Sequence, residues 1–326
     1  MYSYDGLNNL LKARGMKKSE LTRELGISSR TIAKISKGER IADNVLLRLC
    51  EFFGCEKEDI FAVVCENAIL QRLREEKESK ISGGIYHETQ VRLTYNSNRI
   101  EGSRLSEDQT RLIFETNTIG SDVGVPVDDI IETANHFRAI DFVIDKAEEP
   151  ITEEIIKALH RLLKTGTKDS HISWFNVGEY KSKPNVVGGA ETTLPSKVSG
   201  EMRKLLAEYS KIKTVSILDI IRFHHDFEKI HPFQDGNGRV GRLIAFKECL
   251  RFNIVPFIIE DSKKMFYYRG LKEWNSEQGF LVDTCLDGQD TYKALLNYFD
   301  IEYNVSLNES FFKLSVFFTS TRNFLI

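Results

Sequence analysis

Apolar residues recur every three or four positions along most of the chain, which is the spacing of amphipathic α-helices. The pattern is clearest in KSELTREL, NVLLRLCEFF, EEIIKALHRLL, ILDIIRFHHDF and GRLIAFKECLRF. The chain has only six prolines and few alternating β-branched runs, so these patterns predict a mainly α protein. At 326 residues it is long enough for two or three domains.

Interruptions of this pattern divide the chain. After Cys65 comes a charged helix, ENAILQRLREEKESK, which Gly83-Gly84 interrupts. We therefore predict a small head domain at 1–65, a helical linker at 66–85, a larger domain at 86–300 and a C-terminal segment of unknown role at 301–326. The stretch VGEYKSKPNVVGGAETTLPSKV has short extended runs around Gly188-Gly189, and it predicts a β-hairpin flap on the helical scaffold.

Charge and cysteine content limit the functional classes and the cellular compartments that fit this chain. The formal net charge is −3, yet residues 12–40 carry nine Lys/Arg against three Glu, a local excess that suits an anionic partner. The five cysteines form no CxxC pair and are interpreted as reduced thiols. The start MYSYDGLNNL has no signal-peptide pattern, and no apolar run is long enough to span a bilayer. We expect a cytoplasmic protein without membrane contact.

The basic head domain has the pattern of a DNA-binding module. In KSELTRELGISSRTIAKISKG, Gly26 is predicted to make a turn and Ser28 to cap the following helix. The exposed face of that helix would carry the hydrogen-bonding and cationic side chains Ser29, Arg30, Thr31 and Lys34, as a helix in the major groove requires. A small bundle that docks only to a protein is the alternative.

Residues 4–62 resemble the lambda-repressor-like (Cro/C1-type) helix-turn-helix family. The matching positions are Leu21, Gly26-Ile27-Ser28, Ile32, Ile35 and Gly38. The resemblance implies binding to double-stranded DNA. One such head would bind weakly, so operator binding would need a homodimer.

The stretch HPFQDGNGRVGR, residues 231–242, holds the candidate chemistry. Its GxGxxG, with Glu260 downstream, allows a dinucleotide-binding interpretation, but the preceding segment has helical rather than strand spacing. A metal site from His224, His225, Asp226 and His231 is a second alternative, although adjacent histidines on a helix point to different faces. A basic turn with a purely structural role is a third.

A phosphate site fits the residue types better. Pro232 should end one helix, and the glycine-rich loop can aim main-chain N–H groups at an anion before a new helix opens at about Arg239. Arg239 and Arg242 share one face and offer forked donors for phosphate oxygens. Asp235 fits such a cradle if Mg²⁺ lies between its carboxylate and the phosphates. His231 could then take a proton from an attacking hydroxyl.

The same twelve residues match the Fic family signature HPFx[DE]GNGRxxR at every fixed position, and the resemblance extends over roughly 85–290. It implies an all-α Fic domain with a short β-hairpin flap that transfers AMP from ATP to a Ser, Thr or Tyr hydroxyl of a target protein or of itself. It gives His231 the role of base and Asp235 that of Mg²⁺ ligand. The nucleotide- and phosphate-binding set it implies is Phe233 (as an anchor), Gly236, Asn237, Gly238, Arg239 and Arg242. The flap that would align the target comprises Lys183, Pro184, Asn185, Val186 and Val187.

A second segment, SNRIEG, resembles the inhibitory motif [ST]xxxE[GN] of the same family through Ser97, Glu101 and Gly102. The resemblance implies an inhibitory helix near 87–102, whose Glu101 pairs with Arg242 and displaces the γ-phosphate. Two alternatives stay open. Glu101 could direct water to remove AMP from a modified target, or the chain could be a nucleotide-responsive repressor without transfer activity.

Overall fold

A computed structural model describes residues 2–63, 67–120 and 124–303. Helices dominate these residues, and the strands are two antiparallel pairs of two residues each, so the predicted mainly α class is confirmed. The chain forms two compact units with the boundary between Glu66 and Asn67. Every helix in the described ranges is too short or too polar to cross a lipid bilayer.

The first unit is a bundle of short helices. Its elements are β1 (Tyr2–Ser3), α1 (Asp5–Ala13), α2 (Glu20–Leu25), α3 (Ser29–Ser36), α4 (Asp43–Phe53), α5 (Lys57–Ile60) and β2 (Ala62–Val63). Tyr2 lies opposite Val63, and Ser3 opposite Ala62, so β1 and β2 bring the two ends of the unit together. Leu7, Leu21 and Leu49 are fully buried at its centre.

Helices α2 and α3 form the predicted helix-turn-helix. Gly26 ends α2 with φ 59°, a left-handed conformation that glycine adopts without a steric penalty. The Ser28 hydroxyl accepts the Thr31 N–H at 3.2 Å and so caps α3, as the sequence predicts. Leu21 and Ile35 are buried, which turns the opposite face of α3 toward solvent.

The second unit packs its helices around α13. Its elements are α6 (Ala68–Ser79), α7 (Ile85–Ile100), α8 (Glu107–Thr116), α9 (Val127–Asp145), α10 (Glu153–Lys164), β3 (Val186–Val187), β4 (Ala190–Glu191), α11 (Pro195–Tyr209), α12 (Ile217–Ile230), α13 (Asn237–Arg251), α14 (Lys264–Glu273) and α15 (Gly279–Tyr298), with 3-10 turns at Lys168–His171 and Asp261–Lys263. Every residue from Asn237 to Leu250 is buried, so α13 is the central helix and holds the candidate site from inside the core.

The predicted helical linker needs a correction. Residues 68–79 are helical, as expected, but Ile69, Leu70 and Leu73 of α6 are buried in the core of the second unit. Burial of three large apolar side chains ties the helix to that unit, so α6 is part of it rather than a free connection. At the other end Ile301 also packs in this core, while residues 304–326, most of the segment of unknown role, lie outside the described residues.

The predicted flap is a β-hairpin. Val186 pairs with Glu191 and Val187 with Ala190. The turn is made by Gly188 and Gly189, whose φ angles of 57° and 82° are left-handed.

Candidate active site

The motif loop is held between the end of α12 and the start of α13. His231 follows α12 in a left-handed conformation with φ 51°, and its N–H donates to the Phe227 carbonyl at 2.9 Å. Gly236, with φ 79°, turns the chain into α13, which begins at Asn237. The sequence predicts that this helix begins at about Arg239. It begins two residues earlier because the left-handed glycine lets the backbone enter the helix directly.

The interior of the loop is fixed by Phe233 and Asn237. The Phe233 ring is fully buried and stacks on His160, with centroids 4.0 Å apart and planes within 4°. The Asn237 side chain accepts the Phe233 N–H at 2.7 Å and donates to the Phe233 carbonyl at 2.9 Å. Phe233 therefore packs in the core beneath the loop. Because the Asn237 amide closes the loop, the phosphate contact predicted for Asn237 would come from its main-chain N–H at the start of α13.

His231 is poised to accept a proton. Burial and the nearby Lys181 ammonium lower the pKa of His231 to about 4, and its ring bonds to the Glu228 main chain. The ring is therefore neutral at pH 7 in the absence of nucleotide, with one nitrogen engaged. Lys181 is itself buried between the flap and the loop, where it donates to the Asn185 side chain at 2.8 Å and to Thr192 at 2.6 Å.

Arg242 is bound by the residues predicted to inhibit it. Its guanidinium donates to the Ser97 hydroxyl at 3.0 Å, the Ser97 carbonyl at 2.9 Å and Glu101 Oε1 at 2.7 Å, and it reaches the Tyr267 hydroxyl at 3.4 Å. Burial alone would lower the pKa of Arg242, but the opposing effects, of which that of the Glu101 carboxylate is the largest, raise it. Tyr267 is itself buried.

The Glu101 carboxylate also covers the first turn of α13. A side chain added at Gly238 would overlap the Glu101 carboxylate and meet an Arg242 nitrogen at 3.0 Å. Glu101 follows the last residue of α7, and Gly102, with φ 100°, takes the backbone away in a conformation that favours glycine. A helix N-terminus attracts anions. The Glu101 carboxylate therefore lies at the N-terminus of α13, where a phosphate is predicted to bind.

Asp235 and Arg239 belong to an ion network around the buried Lys164, which the sequence did not predict. Lys164 donates to Asp235 at 2.7 Å, to Glu132 at 2.6 Å and to Asp169 at 3.1 Å. Arg239 bridges Glu132 at 2.5 Å and Asp235 at 3.3 Å. Burial alone would raise the pKa of Asp235, but Arg239 and Lys164 lower it, so the carboxylate is ionised. Three members of the network, Glu132, Lys164 and Asp169, lie far from the motif loop in the sequence and outside its signature.

A magnesium ion fits this site only together with a nucleotide. Within the described ranges, no three His, Cys, Asp or Glu side chains are grouped to bind a metal by themselves. Magnesium is usually held by one or two carboxylates plus substrate phosphates. An ionised Asp235 beside the N-terminus of α13 supplies one such carboxylate, so the residues present are compatible with a metal that arrives with ATP.

The flap is joined to the loop through Gln234, to which the sequence analysis assigned no role. The Lys183 N–H donates to the Gln234 side chain at 3.3 Å, and the Asn185 amide donates to the Gln234 carbonyl at 3.4 Å. Beyond Pro184, the strand residues Val186 and Val187 are 62 % and 47 % exposed. The predicted flap residues thus line an exposed strand beside the motif loop.

The remaining predicted residues lie elsewhere. Ser29 and Arg30 are exposed on α3 of the first unit, and Thr31 and Lys34 are half-buried there.

The histidines of the alternative metal site have separate partners. His224 is buried against Tyr267 at 2.8 Å, whereas His225 pairs with its neighbour Asp226 at 2.9 Å.

Comparison with known proteins supports both resemblances. Residues 150–248 match the Fic/DOC family, and residues 6–66 match the Cro/C1-type HTH DNA-binding domain. The protein adenylyltransferase Fic of Nematostella vectensis is 29 % identical over 56 % of this chain and 42 % of that protein. The protein of the same name from Drosophila erecta is 25 % identical over 75 % of this chain and 47 % of that protein. The chain thus spans less than half the length of these curated relatives.

Solved structures of Fic proteins have a fold similar to that of this chain. A Fic-domain-containing signalling protein of Bacteroides thetaiotaomicron superposes with a TM-score of 0.56 at 22 % identity, over 70 % of this chain and 94 % of that one. Fic-1 of C. elegans also superposes with a TM-score of 0.56, at 16 % identity, over 89 % of this chain and 98 % of that one. The chain therefore carries a Fic/DOC domain on a Fic-type helical fold, together with a Cro/C1-type helix-turn-helix domain.

Proposed function

We propose that the second unit is a protein adenylyltransferase that Glu101 holds in an inhibited state. The observation that carries the proposal is the arrangement around the N-terminus of α13. A neutral His231 stands at its entrance, Arg239 and Arg242 lie on the helix itself, and the Glu101 carboxylate rests where an anion would bind. The named adenylyltransferase relatives support the same chemistry.

In the proposed reaction, the hydroxyl oxygen of a target protein attacks the α-phosphorus of ATP. His231 takes the hydroxyl proton, the bond from the α-phosphorus to the α–β bridging oxygen breaks, and pyrophosphate leaves. The N–H groups at the start of α13 and the Arg239 side chain would hold the phosphates. A bound Mg²⁺ would neutralise phosphate charge, and Asp235 would hold it.

The target segment would bind along the flap. Val186 and Val187 are exposed on a strand of the flap that is joined to the motif loop through Gln234, and a target backbone can add to such an edge as a further strand. Main-chain pairing of this kind places a hydroxyl near the base without demanding one particular sequence.

The reaction class is tested with ATP labelled at the α- or the γ-phosphate, Mg²⁺ and the Glu101→Gly protein in a cell lysate. We expect label on protein from α-labelled ATP and none from γ-labelled ATP, because AMP is transferred and pyrophosphate leaves. Label from the γ-position instead would identify a kinase and contradict the proposal. Release of AMP from modified protein by the wild type, with no labelling by the variant, would favour AMP removal by Glu101.

For the first unit we propose binding to double-stranded DNA through α3. The exposed Arg30 and the half-buried Lys34 lie one helical turn apart on α3, on a face other than the one that buries Ile35. This is the face that a recognition helix turns to the major groove.

We expect Arg30→Ala/Lys34→Ala to weaken DNA binding and to reduce the slope of log K against log salt concentration by about two, since each cation releases about one counterion. Fluorescence anisotropy with the full chain and mixed duplex DNA measures both. Lys12→Ala/Lys57→Ala removes the same charge from α1 and α5 and serves as the control. Equal slopes for the two double variants would show that α3 is not the binding helix.

A further inference from the structure

The ion network around Lys164 has the arrangement of a filled cation site. The ammonium lies within 2.6 to 3.1 Å of oxygens from Glu132, Asp169 and Asp235. The Phe175 ring closes another side, with its centroid 5.6 Å from the nitrogen. The Lys164 side chain is 2 % exposed, so the charge is compensated by these groups rather than by water.

The spacing of the oxygens suits an ammonium better than magnesium. Magnesium–oxygen bonds are about 2.0–2.1 Å long. The three oxygens would have to move inward by about half an ångström or more to bind magnesium in place of the nitrogen. This agrees with the lack of a free metal-binding group among the described residues.

The cations of this network also hold Asp235 in position. Lys164 and Arg239 both donate to the same oxygen, Asp235 Oδ2. The stem of Lys164 passes under the catalytic loop, where a side chain at Gly236 would lie 3.7 Å from its Cδ. Asp235 is thus fixed through one oxygen by a cation that reaches it from α10, beneath the loop.

We propose that Lys164 is the resident cation of the catalytic loop, filling the carboxylate cage of Glu132, Asp169 and Asp235 so that a divalent metal enters only together with the phosphates of a nucleotide. The proposal rests on the proposed function in one point, that Asp235 meets the metal of the bound nucleotide. Lys164 is a positioning residue, because its ammonium contacts the carboxylates and not the substrate.

The charges explain why this arrangement matters. Three carboxylates face two cations, Lys164 and Arg239, and a free divalent ion entering beside them would meet both positive charges. Without Lys164 the same carboxylates face only Arg239, and the cage becomes an attractive metal site.

The test measures how tightly Mn²⁺ binds to the full chain without nucleotide. Electron paramagnetic resonance detects the bound ion. We expect Lys164→Ala to bind Mn²⁺ at least about tenfold more tightly than the wild type, because a buried positive charge has been removed from the cage. Lys164→Ala/Asp169→Asn should lose most of this gain. Lys168→Ala, which removes an exposed lysine of the neighbouring turn, serves as the control and should bind like the wild type.

The outcomes separate this proposal from the proposed function, since the assay contains neither nucleotide nor target. A folded Lys164→Ala protein with wild-type Mn²⁺ affinity would overturn the proposal, as would a gain that Asp169→Asn leaves unchanged. Circular dichroism reports whether each variant folds. Should Lys164→Ala not fold, Lys164→Gln keeps an N–H donor on a side chain one atom shorter and removes the charge, and the same gain is expected from it.

Discussion

Glu101→Gly is expected to raise AMP transfer to protein about ten- to hundredfold over the wild type, because a hydrogen bond between charged groups is worth about 1.5–3 kcal/mol and Arg242 would exchange it for a phosphate. Glu101 Oε1 lies 2.7 Å from Arg242, and its carboxylate covers Gly238 at the N-terminus of α13. Removing it frees a phosphate ligand and removes a negative charge from the position of the phosphate. Transfer from α-labelled ATP measures the effect.

The chain offers a matched control for this variant. Glu148 also lies just beyond the end of a helix and pairs with an arginine, Arg74, at 2.9 Å, but its side chain is 72 % exposed and far along the chain from the motif. Exposed pairs of this kind contribute little. Glu148→Gly should therefore transfer AMP at the wild-type rate. Activation by both variants, or by neither, would contradict the assignment of Glu101 as the inhibitory residue.

His231→Ala, introduced into the Glu101→Gly protein, should lower AMP transfer about 10²- to 10⁴-fold, the usual contribution of a general base. Burial and Lys181 lower the pKa of His231 to about 4, so the ring is neutral at pH 7 and able to accept the hydroxyl proton. Nucleotide binding should persist, because Arg242 and the N-terminus of α13 are untouched. Label transfer and calorimetric ATP binding are measured on the same preparation.

Two further variants show whether the loss is chemical. His171 is exposed on the 3-10 turn Lys168–His171, and His171→Ala should leave transfer unchanged. His231 has φ 51°, a conformation that asparagine tolerates better than alanine, so His231→Asn preserves the loop while removing the base. Loss of ATP binding in both His231 variants would make the residue structural. Retained transfer in both would assign the proton to another group.

Features that depend on neighbouring residues could be predicted from the sequence. The cap from Ser28, the glycine turn at Gly26 and the hairpin at Gly188-Gly189 are each set within a few residues, and the structure contains all three. The pairing of Glu101 with Arg242 spans 141 positions, and only the family resemblance of two short motifs brought those residues together in advance.

Features that depend on packing between distant helices could not be predicted. The Lys164 cage takes one residue each from α9, α10, the turn after α10 and the motif loop, and no periodicity links these four. The charged helix α6 has the composition of a linker, but three apolar residues on one side are enough to bury it. Gln234 occupies the variable position of the signature, so its link to the flap was visible only in the structure.

The bracing of the motif loop has a consequence for how fast the protein could respond to a signal. Phe233 stacked on His160, with the Asn237 amide closed onto the same main chain, leaves the loop little conformational freedom to lose when ATP binds. Preorganisation of this kind lowers the entropic penalty of ligand binding. Glu101 is by contrast one side chain, 27 % exposed, at the end of a helix. Switching on would then require the Glu101 side chain to leave Arg242, rather than the slower ordering of a disordered segment.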